Sequence, residues 1–351
     1  MVCKLRKSFY GLKQASRQWN TKLCSTLLTL GYIQSKADHS FFTKLFDGKF
    51  TAILVYVDDL VLSGNDLDEI TQVKQVLDNQ FSIKDLENLK FFLGMKVARG
   101  ATGISLYQRK YTLDLLKEFG LMDAKPSSTP IDYSNPLSKT TGSPLPDLTP
   151  YRRLIGRLTG LHILRYLKGF LAHGILFHSH NGLKLTGYSD SDWGTCPDTR
   201  RSVSGYCFFL GSSLICWRSK EQSVVARSSV EAEYRALALA TCEGVWLRFI
   251  LSDFHLLPPG PFTLFCDNQS ALHIAANPVF QECRKHIEID CYTVRDKLQD
   301  GSLKLLPVLS SQQVADVLTK ALPPIAFSSF HSKFGMVDFH IPNLRGDVIS
   351  S

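Results

Sequence analysis

The chain has 351 residues, 44% apolar and 21% charged, with 40 Lys and Arg against 32 Asp and Glu for a formal charge of +8. That length suits about two domains with adequate cores, and the basic balance suits a polyanionic partner. No apolar run reaches the ~18 residues needed to span a bilayer, no signal peptide is legible after Met1, and the nine cysteines show no CxxC or zinc spacing, so neither a membrane partner nor a disulfide framework is expected.

The opening stretch, Val2 to Tyr32, predicts a basic loop and then a helix from about Ala15 to Leu30. Arg6, Lys7, Lys13 and Arg17 interleave with Phe9, Tyr10 and Trp19, a mixture that suits phosphates and bases. On spacing alone, an amphipathic helix with aromatic core residues explains the same pattern. Two strands follow, SFFTKLFDG and KFTAILVYVDDLVLSGND, the second apolar except for Asp58 and Asp59 at its middle. Tyr56-Val57-Asp58-Asp59 between ILV and LVL predicts a tight hairpin that lifts two acids out of a hydrophobic sheet. Gly or Asn would serve a purely structural turn at lower cost, so function is favoured for these acids. Asp66 and Glu69 have the spacing of a helix cap, and strand character returns from Phe91 to Val97. From Met122 to Pro150 the chain holds six of its fifteen prolines with many Ser and Thr, the composition of an extended connector.

The second half is organised around LTGYSDSDWG, Leu185 to Gly194. Its alternation predicts a strand that ends in Asp190 and Asp192. Tyr206–Gly211 and Leu214–Ser219 then read as an antiparallel meander. A helix starts near Ser228, where Ser228 and Glu231 have capping-box spacing and Glu231 precedes Arg235 by one turn. Glu233 lies about 200° around that helix from Glu231. It falls on the face of Ala236, Leu237, Ala240, Gly244 and Leu247, which is small enough to pack closely on a sheet. Glu231 therefore has a structural task, and Glu233 is an acid on the buried side. An apolar strand ends at Asp267, and a strand near Leu303 to Leu309 leads through Ser310 or Ser311, as a helix cap, to Asp316. Taken singly, Asp267 reads as an N-cap and Asp316 as a solvated helix residue. Together, four acids at strand ends and helix starts need neutralising, since two carboxylates ~4 Å apart repel by about 4 kcal/mol at an effective dielectric near 20. Hard oxygen ligands suit Mg²⁺ or Mn²⁺, and a pair of such ions suits in-line attack of water on a phosphodiester.

GYSDSDWG, RRSVSGY, WRSKEQ, SSVEAEY, CDNQSA, RKHIEI and QQVADVLTK, in that order, resemble the ribonuclease H domain of a copia-type retrotransposon Pol polyprotein. The resemblance implies that Asp190, Glu233, Asp267 and Asp316 coordinate two Mg²⁺ or Mn²⁺ ions for cleaving the RNA strand of an RNA–DNA hybrid. Asp192 and His286 lie inside matching motifs and are weaker candidates, His286 as a nucleic-acid contact. No histidine stands between Val308 and Asp316, where many ribonucleases H place a mobile one. LRKSFYGLKQASRQW, the YVDD hairpin and KDLENLKFFLG resemble the palm of the same family's reverse transcriptase. That implies metal binding and catalysis at Asp58 and Asp59, and a position near the incoming nucleotide for Leu12 to Gln14. It also implies a third aspartate and fingers upstream of Met1, so polymerisation by this chain alone is not expected. YRRLIGRLTGLHILRYLKG departs from the family in lacking a long helical segment after Leu158, which suggests a shortened bridge.

The expected architecture is α/β (α+β), a partial reverse-transcriptase palm followed by a ribonuclease H-like mixed-sheet domain. The expected boundaries are 1–121 for the palm, 122–180 for linker and connection, 181–325 for the ribonuclease H-like domain, and 326–351 for a loose tail. The expected partners are an RNA–DNA hybrid, template RNA or DNA, and other Pol-derived chains that complete the polymerase. A catalytically inactive nucleic-acid-binding remnant is the competing reading. An integrase-like enzyme is a third, disfavoured by the YVDD hairpin. No cellular address is legible.

Overall fold

A computed structural model describes residues 14–133, 161–277 and 288–339. These fall into two compact units, the first taking the described residues up to Leu89 together with Trp246–Leu257, the second taking the rest.

In the first unit, helix α1 (Ala15–Thr29) precedes strands β1 (Ile33–Gln34), β2 (Phe41–Phe46), β3 (Lys49–Tyr56) and β4 (Asp59–Gly64), which form an antiparallel sheet in that order. Helix α2 (Leu67–Phe81) follows, its first turn closed by the Asp66 carboxylate accepting from the Glu69 amide at 3.2 Å. Leu23 and Leu27 of α1 and Val73 and Leu77 of α2 bury against Phe42, Ile53 and Val55 of the sheet. Trp19 packs at the edge of that core, its ring 6.3 Å from Phe81. The helix-with-aromatic-core reading therefore accounts for Trp19, while Gln14 and Arg17 stay exposed.

The second unit holds two sheets. Strands β5 (Phe91–Phe92), β6 (Met95–Gly100) and β7 (Gly103–Tyr107) are followed by helices α3 (Arg109–Glu118) and α4 (Leu161–Gly169) and strand β8 (His173–His178). Leu115 and Leu116 of α3 bury against Leu164 of α4. Next come β9 (Leu185–Ser191), β10 (Val203–Leu210), β11 (Ser213–Glu221), helix α5 (Ser229–Asp253, with its residues from Trp246 on counted in the first unit), β12 (Phe262–Cys266), α6 (Gln269–Ala276), α7 (Glu288–Gln299) and β13 (Leu303–Pro307). A short helix α8 (Asp316–Thr319), helix α9 (Pro324–Lys333) and strand β14 (Met336–Asp338) complete it.

The larger mixed sheet runs β11-β10-β9-β12-β13, with β11, β10 and β9 antiparallel and β9, β12 and β13 parallel. Each parallel pair needs a helical crossover, and α5 and then α6 and α7 supply them. The small face of α5 is used as its composition predicts: a Cβ added to Gly244 would lie 2.3 Å from the Phe262 ring. The expected meander and mixed sheet are thus present, and the fold class is α/β with two kinds of sheet.

At two places the strand pairing and helices run across the expected boundaries. The second sheet runs β14-β8-β7-β6-β5, antiparallel throughout, so residues from Lys90 to Leu121, expected with the palm, sit in the second unit through the pairing of β7 with β8. Within the segment read as a loose tail, residues 326–339 carry most of α9 and strand β14. Pro324 at the first helical position starts α9. Phe330 then buries in the cluster of Cys207, Phe209, Leu214 and Val314.

Candidate metal-dependent active site

Four elements of the second unit deliver the four expected acids to one place. Asp190 stands near the end of β9 and is fully buried. Glu233 lies on the second turn of α5, 8% exposed. Asp267 follows the last residue of β12, and Asp316 opens α8. Carboxylate oxygens of Asp190, Asp267 and Asp316 all lie within 4.8 Å of one another, and Glu233, Cys266 and Asp267 form a second group of the same compactness. Burial is the main cause that pushes the Glu233 carboxyl up to about 9, and the charges of Asp190 and Asp267 push it further while the Ser191 amide opposes them. Its Oε2 is buried without a hydrogen-bond partner. Burial also raises Asp316, opposed by the hydrogen bond from Lys320.

The surrounding residues hold these acids in place. Thr319 donates its hydroxyl to Asp190 Oδ2. Lys320 Nζ lies 3.2 Å from Asp190 Oδ1 and 2.5 Å from Asp316 Oδ1. Burial works to lower the Lys320 ammonium, but Asp316 and Asp190 overcome it and hold the group above its ordinary range. Ser310 donates to Asp267 Oδ2 at 2.9 Å, and the Gln313 amide reaches Asp267 Oδ1 at 3.4 Å and the Ser189 carbonyl at 3.0 Å. Gly205, opposite Asp190 in the ladder, lets α8 come close: a Cβ there would lie 2.6 Å from Thr319 Cγ2 and 2.9 Å from Leu318 Cβ.

Several structural roles expected near the cluster fall to particular residues. Asn268, not Asp267, caps α6 by accepting from the Ala271 amide at 3.0 Å. Ser310 and Ser311 belong to a 3₁₀ turn rather than to the cap of the helix that Asp316 begins, because the Ser310 hydroxyl is committed to Asp267. Glu231 takes its structural place, its amide donating to Ser228 Oγ at 3.2 Å and its Oε1 accepting from Arg235 at 3.0 Å. Its Oε2 returns to the Arg227 amide at 2.9 Å, one residue before the expected Ser228. Asp192 braces the strand end, accepting from the Thr195 hydroxyl and the Val203 amide. Burial raises its carboxyl while the Thr195 and Val203 hydrogen bonds lower it.

The other site takes a different form. The register Tyr56↔Asp59 leaves Val57-Asp58 as a two-residue hairpin turn. Val57 has φ of 49°, a positive value at the first central position as in a type II′ turn and costly for a β-branched residue. Asp58 and Asp59 are both exposed. Among the described residues they join no third acid at metal-binding distance. Arg6, Lys7, Lys13 and His286 lie outside the described residues.

The sequence pattern gave no role to Gln313, Thr319 or Lys320, and offered Ser310 only as a helix cap. Only Lys320 left a local signal, four residues after Asp316 and so one helical turn along.

A strand-end cluster of carboxylates on a mixed five-stranded sheet, in a chain that also carries a YVDD hairpin, defines the class as a reverse-transcriptase-like chain with a ribonuclease H-like domain. Residues 1–133 match the family of reverse transcriptases described as RNA-dependent DNA polymerases. The chain is 38% identical over 378 residues to the retrovirus-related Pol polyprotein from transposon RE2 of Arabidopsis thaliana, covering 99% of this chain and 26% of that protein. It is 31% identical to a putative transposon Ty5-1 protein of Saccharomyces cerevisiae, covering 66% of this chain and 86% of that one. A foamy viral protease-reverse transcriptase in complex with RNA/DNA hybrid is 15% identical, with a TM-score of 0.46 over 90% of this chain and 40% of that chain. The chain belongs to the copia-type retrotransposon Pol family. It spans about a quarter of the length of the Arabidopsis polyproteins it matches.

Proposed function

We propose that the chain hydrolyses the RNA strand of an RNA–DNA hybrid at the cluster of Asp190, Glu233, Asp267 and Asp316, with Mg²⁺ or Mn²⁺ as cofactor. The observation that carries this reading is Glu233 Oε2, a carboxylate oxygen buried beside two other acids without a hydrogen-bond partner. Such an atom costs the fold unless it holds a proton or meets a cation. The donor set is hard oxygen, and Cys266 is a buried thiol held well above its ordinary range by burial, so the cluster fits Mg²⁺ or Mn²⁺ better than a soft metal. Asp190 and Asp267 would anchor the ions, Glu233 would hold one of them and Asp316 would tune the other. When bound, the two ions supply charge neutralisation and an activated water at the phosphodiester. The chain fixes the carboxylates on rigid strand ends and a helix, with Gln313 and Ser310 orienting Asp267 and Thr319 orienting Asp190. The products expected are a 3′-hydroxyl and a 5′-phosphate.

One observation favours a second reading, a nucleic-acid-binding remnant without activity. Lys320 neutralises Asp190 and Asp316 with no ion required. The test is cleavage of a labelled RNA–DNA hybrid by the full chain with Mg²⁺ or Mn²⁺, beside Asp190→Asn. Metal-dependent cleavage lost in the variant supports the nuclease. Hybrid binding by a folded chain without cleavage supports the remnant.

A further inference from the structure

The carboxylate cluster has two unlike halves. On one side Glu233 and Asp267 form no ion pair among the described residues, and Glu233 Oε2 has no hydrogen-bond partner there. On the other side the Lys320 ammonium sits between Asp190 Oδ1, at 3.2 Å, and Asp316 Oδ1, at 2.5 Å. The remaining Asp190 oxygen accepts from Thr319, so both oxygens of the most buried acid are engaged. The close approach at Gly205 fixes the backbone of α8, and with it the point from which Lys320 reaches in. The Lys320 side chain is 39% exposed, so it has an open path back to solvent.

We propose that Lys320 is a built-in cation that holds the Asp190–Asp316 half of the cluster and yields it to the second divalent ion. This rests on the metal-dependent reading above and goes beyond it by assigning unequal loading to the two halves. The first ion binds at Glu233 and Asp267, where Glu233 Oε2 has no hydrogen-bond partner to give up. The second ion meets a positive charge already hydrogen-bonded to two of its ligands and binds only as the Lys320 stem swings outward. Lys320 touches ligands rather than substrate, so its task is to set the order and affinity of ion binding. A lysine is suited to this because its ammonium is a point charge on a flexible stem, whereas a guanidinium would lock both carboxylates in a planar fork.

The experiment is calorimetric titration of Mn²⁺ into the metal-free full chain, comparing the unaltered chain with Lys320→Met, Lys320→Gln and Lys320→Arg, each checked for folding by thermal melting. The expected result is two unequal sites in the unaltered chain. Lys320→Met and Lys320→Gln should tighten the weaker site on the order of tenfold, because a unit charge beside a divalent ion has gone, and leave the tighter site unchanged. Lys320→Arg should keep the weak site weak. Equal affinities in the unaltered chain and both neutral variants would overturn the role of Lys320 and leave the metal centre standing. Weaker binding in the neutral variants would assign Lys320 to support of the ligands instead. No Mn²⁺ binding in any of them would overturn both this inference and the metal-dependent reading. Binding only in the neutral variants would show Lys320 closing the site outright.

Discussion

Asp58 and Asp59 stand exposed at the tip of one hairpin, whereas Asp190, Glu233, Asp267 and Asp316 come from four separate elements and meet in a partly buried cluster. The first arrangement needs only one turn, so three or four residues of sequence specify it. The second needs a five-stranded sheet and two crossovers to be right before any two of its acids are neighbours. An exposed acid pair costs the fold little, and its presence says little about chemistry. A buried cluster with an orphaned oxygen costs the fold much more, and such a site calls for a proton or a cation. The difference makes the carboxylate cluster the stronger evidence of function, although the hairpin is the easier motif to see.

The comparison breaks most sharply at the chemistry. Asp190→Asn should lower hybrid cleavage by the full chain by about a hundredfold to a thousandfold, the scale seen when a group that stabilises transition-state charge is removed. The double change Asp58→Asn with Asp59→Asn should leave cleavage at its original rate. Both are read in the same labelled-hybrid assay, and loss of cleavage in the hairpin variant would tie the two sites together.

The next effect is on stability. The Glu233 carboxyl is raised from its ordinary 4.5 to about 9 by burial and neighbouring acids. Between those values the folded chain keeps the proton that the unfolded chain has lost, so the folded state is favoured less as pH rises through the window. From about pH 6 to about pH 8 the metal-free chain should lose up to ~3 kcal/mol of stability in denaturant titrations. Glu233→Gln should flatten that slope, and added Mg²⁺ should do the same by favouring the carboxylate.

Packing around the cluster gives the third effect. Gly205→Ala places a methyl where Thr319 and Leu318 now lie, at 2.6 and 2.9 Å. Something must shift, and the short helix carrying Asp316 is the part nearest to hand. A displacement of this kind costs cleavage on the order of tenfold to a hundredfold, with the Asp190 strand itself intact. Steady-state cleavage at saturating metal, beside a thermal melt, separates misplacement from unfolding.

Much of this was legible in the sequence because its signals are local. The period of two in β9, the capping spacing at Ser228 and Glu231, and the 200° offset of Glu233 can each be read from a few adjacent residues. The same holds for the α2 cap at Asp66 and for the Val57-Asp58 turn. What was not legible depends on partners distant in sequence. Gln313 looks like an ordinary polar residue until its amide meets Asp267 and the Ser189 carbonyl. Strand β14 is three residues long and exists only because β8 offers an edge to pair with. The pairing of β7 with β8 likewise joins residues on either side of a proline-rich connector, which composition alone reads as a division.

The smallest effect tests the finest distinction, two glutamates two residues apart on one helix. Glu231 accepts from the Arg227 amide and from Arg235, and its amide donates to Ser228. These contacts close the first turn of α5, so Glu231→Ala should cost about 1 kcal/mol in a thermal or denaturant melt. Hybrid cleavage at a temperature well below the melt should be unchanged, because no oxygen of Glu231 belongs to either acid group of the cluster. Glu233→Gln should show the reverse, losing cleavage while the metal-free chain at high pH becomes no less stable. If Glu231→Ala abolished cleavage in a folded chain while Glu233→Gln kept it, the helix face that serves the cluster would have been assigned the wrong way round. The rest of the cluster would then need rebuilding from Glu231.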